Sequence, residues 1–124
     1  MTTMNKEYLF LTMTINGWIS VFEDFPETKQ VVLDCFQFVV NKSWIKIHGF
    51  IIMRDHLHLI CSNNREGSIT STVNSIKKYT GINIRKILKE RDPEYLDQYF
   101  MSTIGMQLLS RTIDGREYWV EPTN

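Results

Sequence analysis

The chain has 124 residues, 43% hydrophobic and 23% charged, which suits one compact domain over residues 1–124 and excludes a disordered chain. Fourteen Lys and Arg balance fourteen Asp and Glu, so net charge points to no polyanionic partner, and any such hint must come from a local patch. No apolar run approaches the roughly 20 residues a membrane helix needs.

"MTTMNKEYLF" has no small-residue cleavage site and reads as the approach to a strand rather than a signal peptide. Glu7 to Ile15, "EYLFLTMTI", alternates loosely and is rich in strand formers, which predicts strand one. Asn16-Gly17 marks a turn. Asp24 is placed to cap a helix, with Pro26 in its first turn, where a missing N–H costs nothing. Val32, Cys35, Phe36, Val39 and Val40 then recur at helical spacing, and Asn41 is the expected stop. "SWIKIHGFIIM" and "HLHLIC" read as strands on either side of a polar break, Arg54-Asp55. Two strands across so short a break form an antiparallel hairpin. The two cysteines, Cys35 and Cys61, sit among apolar neighbours with no C-x-x-C spacing, so two buried, reduced thiols in a cytoplasmic protein are expected.

"SNNREG" reads as a loop. Ser68 is expected to cap a long helix whose apolar stripe is Ile69, Val73, Ile76, Thr80, Ile84 and Ile87 or Leu88. Asp92-Pro93 stops it and starts another helix, on which Leu96, Tyr99, Phe100 and Thr103 share a face. "LLSRTIDGREYWVE" reads as a terminal hairpin around Asp114-Gly115. The order predicts an α+β domain, a largely antiparallel sheet with helices packed on it.

The chain has three histidines, and two of them stand two apart on one predicted strand. Strand side chains alternate, so His56 and His58 point the same way, roughly 6.5–7 Å apart, while Leu57 and Leu59 point to the opposite face. A pair of imidazoles on a rigid strand is a start for a metal site, though a closed zinc site needs more ligands. A two-residue turn sets Ile51 opposite His58. By that register His48 pairs with Cys61 and lies on the other face, away from the pair.

"HGFIIMRDHLHLI" resembles the His–hydrophobe–His signature of HUH-type single-strand DNA nucleases. More narrowly it is similar to the transposases of small insertion sequences and the REP-associated tyrosine transposases. Phe50, Ile51, Ile52 and Met53 fit that motif, as do His56, Leu57 and His58; Arg54 and Asp55 replace its usual proline and asparagine. "STVNSIKKYTGINIRKIL" is similar to the family's second helix. The resemblance runs from about Glu7 to Trp119. It implies a ferredoxin-like antiparallel sheet, with the histidine pair holding Mg²⁺ or Mn²⁺ on a scissile phosphate of single-stranded or hairpin DNA. The metal would spread the charge developing on the phosphate, and a tyrosine would attack phosphorus. In the resembled family that tyrosine sits on a helix after a tryptophan segment similar to "REYWVEPTN". That helix would begin beyond Asn124, so the expectation is a chain lacking its tyrosine-bearing helix, with no catalytic residue assigned. Tyr79, Tyr95, Tyr99 and Tyr118 are not expected to be the nucleophile.

Between Arg65 and Arg91 stand Lys77, Lys78, Arg85, Lys86 and Lys89, against only Glu66 and Glu90. A helix brings Lys78, Arg85 and Lys89 near one face with Lys77 beside it, and such a face would track a DNA backbone. Family members form dimers or act as monomers, which leaves a homodimer open. Two other readings stay open: a domesticated DNA-binding protein without catalysis, and a metal-binding structural α+β protein.

Overall fold

The computed structural model describes residues 8–64, 66 and 69–100, together with the backbone of residues 109–113 and 116–118. β1 (Tyr8–Ile15) leads through a short 3-10 turn (Asn16–Trp18) into α1 (Val21–Asp24) and α2 (Thr28–Asn41). β2 (Ile45–Ile52) and β3 (His56–Asn63) follow, then α3 (Ile69–Arg91), α4 (Pro93–Phe100), β4 (Leu109–Ile113) and β5 (Arg116–Tyr118). The sheet order is β2-β3-β1-β4-β5, and every described pairing is antiparallel. β3 is thus inserted between β1 and β2, the two strands joined across α2. That split arrangement, with β4 outside β1, is the ferredoxin-like plan expected.

Alternation on β1 buries Leu9, Leu11, Met13 and Ile15 on one face, and Leu57, Leu59 and Cys61 of β3 join them. α2 contributes Val31, Val32, Cys35, Phe36 and Val39 to the same core. α3 adds Val73, Ile76, Ile84 and Leu88. All helices with buried stripes therefore cover one face of the sheet, and Tyr8, Phe10, Thr12 and Thr14 stand on the other. Both cysteines are buried and stand outside any disulfide, as expected.

The entry into α2 departs from the sequence expectation. Val21 and Phe22 are fully buried, and burying both draws the chain into an extra helical turn before Pro26. Asp24 ends that turn instead of capping α2, whose first turn has no side-chain cap. Thr28 Oγ1 donates instead to Phe25 O at 2.6 Å. Val40 lies outside the buried stripe and is exposed. The chain reverses at Ser43, at φ 60, where Trp44 N donates to Val39 O at 3.0 Å. That bond satisfies a carbonyl at the helix end in the manner of a Schellman turn. On α4, Leu96 and Phe100 are buried but Tyr99 is exposed. Ser68, Thr103, Asp114 and Gly115 lie outside the described residues.

Candidate metal and DNA site

β3 lies centrally, paired on both edges, so its side chains are held rigidly. His56 stands opposite Thr14 and His58 opposite Thr12 on β1, while Ile51 of β2 stands opposite His58. The imidazole centroids are 4.9 Å apart. The pair is on the sheet face the helices leave uncovered, as the alternation predicts.

Each ring is fixed at Nδ1. His56 Nδ1 donates to Asp55 Oδ1 at 2.7 Å, and His58 Nδ1 shares a hydrogen bond with Thr12 Oγ1 at 3.0 Å. Asp55 is largely buried. Its turn is tied down by the backbone: Ile15 N donates to Asp55 O at 2.9 Å, and Phe22 N to Arg54 O at 3.1 Å. Outer partners that orient a ring through one nitrogen leave the other available to a metal. Here Nε2 of each ring is that atom. The donor set fits a divalent cation held by two imidazoles, its remaining positions left to oxygen ligands. Among the described residues no group of three or more His, Cys, Asp or Glu is arranged to hold a metal ion by itself.

Thr12 and Asp55 were missed in the sequence. Asp55 adjoins the motif, but its role depends on the turn. Thr12 is 46 residues away from His58, and only strand pairing brings it close.

His48 corrects a second expectation. A bulge between Ile47 and Gly49 shifts the β2–β3 register, and Ile47, not His48, stands opposite Cys61. The extra residue turns His48 onto the histidine face, where its Nε2 bonds Ser62 Oγ at 3.0 Å and its ring meets Tyr8 at 4.9 Å. Ser62 is four residues from His58, about 13 Å along the strand, so His48 does not join the pair.

The basic cluster divides. Lys78, Lys86 and Lys89 are exposed on α3. Arg85 is half-buried, and its Nη1 donates to Phe100 O at 3.1 Å. Lys77 is 5% exposed, which removes it from the solvent face. It is four residues after Val73 and three before Thr80, so it falls within the apolar stripe, a signal already present in the spacing. The exposed lysines point away from the core, so sheet and helix separate them from His56 and His58.

The tyrosines also sort by placement. Tyr79 is on α3, on the far side of the sheet from the histidines. Tyr95 donates its hydroxyl to Asp24 Oδ2 at 3.1 Å and packs edge-on against Phe25 and Tyr99. Burial, then the Asp24 hydrogen bond, pushes the Tyr95 phenol well above its ordinary value. Both effects disfavour the phenolate a nucleophile requires. The side chain of Tyr118 lies outside the described residues.

Residues 11–115 match the family described as "Transposase IS200 like". A solved structure assigned as a transposase, from Deinococcus radiodurans, is similar with a TM-score of 0.61 at 14% identity, covering 96% of this chain and 82% of that one. At that identity the likeness concerns the fold. A REP-associated tyrosine transposase bound to a REP hairpin gives a TM-score of 0.46 at 13% identity, covering 67% of this chain and 53% of that one. No curated protein sequence matches the chain. Proteins of the matched family act on DNA and generally depend on a divalent metal. The chain belongs to the IS200-like transposase family and is an HUH-type, transposase-like DNA-binding protein.

Proposed function

We propose that this protein binds single-stranded or hairpin DNA and that His56 and His58 hold Mg²⁺ or Mn²⁺ against a backbone phosphate. The observation that carries the proposal is the fixed imidazole pair, centroids 4.9 Å apart, each ring bonded at Nδ1. The metal, when bound, supplies Lewis-acid stabilisation of charge on the phosphate oxygens. The chain's own contribution is to hold the two rings in one orientation without reorganisation. Lys78, Lys86 and Lys89 supply a second, backbone-tracking contact, with Arg85 bracing α3 against α4. Such contacts add affinity without sequence preference.

Among the described residues no tyrosine stands against the pair. Tyr8 shares its face but is four residues from Thr12 on β1, about 13 Å along the strand. Positioned attack needs roughly 3–3.5 Å. Metal holding and DNA binding therefore form the core of the proposal, and no described tyrosine is assigned as nucleophile.

The test is Mn²⁺ binding followed by electron paramagnetic resonance. Wild type is expected to bind weakly, near millimolar metal, and His58→Ala to bind far less. Protonated imidazole cannot ligate, so binding is expected to fall in acid. Equal Mn²⁺ binding by wild type and His58→Ala would remove the site.

A further inference from the structure

The face that carries the histidines is lined with aromatic rings. Trp18 lies 6.4 Å from His56, His56 4.9 Å from His58, and His58 5.5 Å from Phe10, centroid to centroid. Tyr8, two residues before Phe10 on β1, extends the row and meets His48 at 4.9 Å. Three of these rings are open to solvent: Trp18 at 67%, Tyr8 at 65% and Phe10 at 44%. Burying them was not what folding required of them.

Trp18 adds an independent sign. It is held at φ 58, directly after Gly17 at φ 79. A bulky side chain in the left-handed region costs free energy, and here it gains no burial in return. The backbone projects this indole outward beside His56.

The charge of the face also selects a partner. On the outward positions of β1, β2 and β3 among the described residues, Lys46 is the one group with a permanent charge. Arg54 stands exposed in the adjoining turn. The nearby carboxylate, Asp55, is engaged by His56. Across β1, β2 and β3, an aromatic face whose nearby carboxylate is already engaged, with basic residues at its margins, suits a flexible polyanion carrying flat apolar groups.

We propose that this face is a stacking platform for unpaired DNA bases, with Trp18 and Phe10 on either side of the histidine pair and Tyr8 beyond Phe10. The inference rests on the DNA-binding reading above and extends it by assigning where the bases go. Rings two apart on a strand repeat about every 6.5–7 Å, so successive bases can each find a ring. Every base has a π-face, which makes the platform tolerant of sequence.

The test compares a labelled oligothymidylate long enough to reach from this face to the α3 lysines with an abasic strand of the same length, by fluorescence anisotropy in EDTA so that metal takes no part. Wild type is expected to prefer the strand with bases. Phe10→Ala and Trp18→Ala are each expected to weaken that strand about five- to a hundredfold and leave abasic binding unchanged. Phe10→Trp is expected to retain affinity. Far-UV circular dichroism and melting temperature verify that each exposed-site variant folds. Equal affinity of wild type for both strands overturns the platform and leaves DNA binding standing. Failure to bind either strand overturns both. Lowered melting temperature in the alanine variants with unchanged oligothymidylate affinity also overturns it, since protein, from this chain or a second copy, would then cover the rings.

Discussion

Thr12 and Asp55 supply what the histidines cannot: each fixes one imidazole at Nδ1 and so decides which nitrogen faces outward. A metal ligand freed from its outer partner loses orientation, and such losses cost about 10–100-fold in affinity. Thr12→Val is expected to weaken Mn²⁺ binding by about that factor while Thr12→Ser retains it, as measured by the resonance titration used for His58→Ala. A Thr12→Val protein with unchanged Mn²⁺ affinity would show that His58 needs no anchor. The pair itself was legible from two-residue alternation. Thr12 was not, because no local signal reports which residue a strand will meet across the sheet. His48 failed for a related reason: one bulged residue moved it to the opposite face, and a bulge leaves no mark in hydrophobic alternation. Tyr79 stands across the sheet from the pair, and if a covalent protein–DNA adduct forms, Tyr79→Phe is expected to leave its band on a denaturing gel unchanged.

At the level of elements, α3 carries two kinds of lysine that charge alone cannot separate. Lys78 and Lys89 point outward, while Lys77 belongs to the packed stripe. Lys78→Glu with Lys89→Glu is expected to weaken all DNA sequences about equally and flatten the dependence of affinity on salt. Lys77→Glu is expected to act on stability instead, by roughly 3 kcal/mol, because it sets a carboxylate where solvent hardly reaches. Denaturant melts beside salt titrations distinguish the two. α4 is tied to α1 through Tyr95 and Asp24, and this bond carries a pH signature. Burial also pushes the Cys35 thiol up to about 12. Native protein keeps both protons where the unfolded chain releases them, from the ordinary thiol value of 9.0 and the ordinary phenol value of 10.0 upward. The unfolded state then binds fewer protons, so stability falls as pH rises through this range. The urea midpoint is expected to decline above about pH 9, and Tyr95→Phe to remove part of the decline above about pH 10. Helix α3 and the β2–β3 hairpin were legible because their periods are long and regular. The approach to α2 was not, because Asp24 and Pro26 read as a helix start while burial of Val21 and Phe22 governed the chain.

For the whole molecule, the decisive fact is that the two candidate DNA contacts lie on opposite sides. The α+β class and the antiparallel sheet were readable from the order of the elements, and the ferredoxin-like plan from the resemblance, but the sides were not. Helical periodicity says which face of α3 is buried, without saying which face of the sheet it covers. The outward lysines of α3 are separated from the histidine face by a helix and the sheet beneath it, roughly 20 Å. A strand of a few nucleotides can occupy one patch or the other, so losing one patch leaves the other available. A longer strand passing around a sheet edge engages both, and the second contact becomes intramolecular. Phe10→Ala and the Lys78→Glu, Lys89→Glu pair are therefore expected to have modest separate effects on short oligothymidylates and a large combined effect. On long strands each lesion should cost its full factor, and the two should add in log affinity because the sites are far apart and do not touch each other. The measurement is a double-mutant cycle repeated over a series of strand lengths. The length at which the separate effects appear reports the path between the faces. If the shortest strands already show both effects in full, the two patches are contiguous, and the placement of α3 behind the sheet cannot stand.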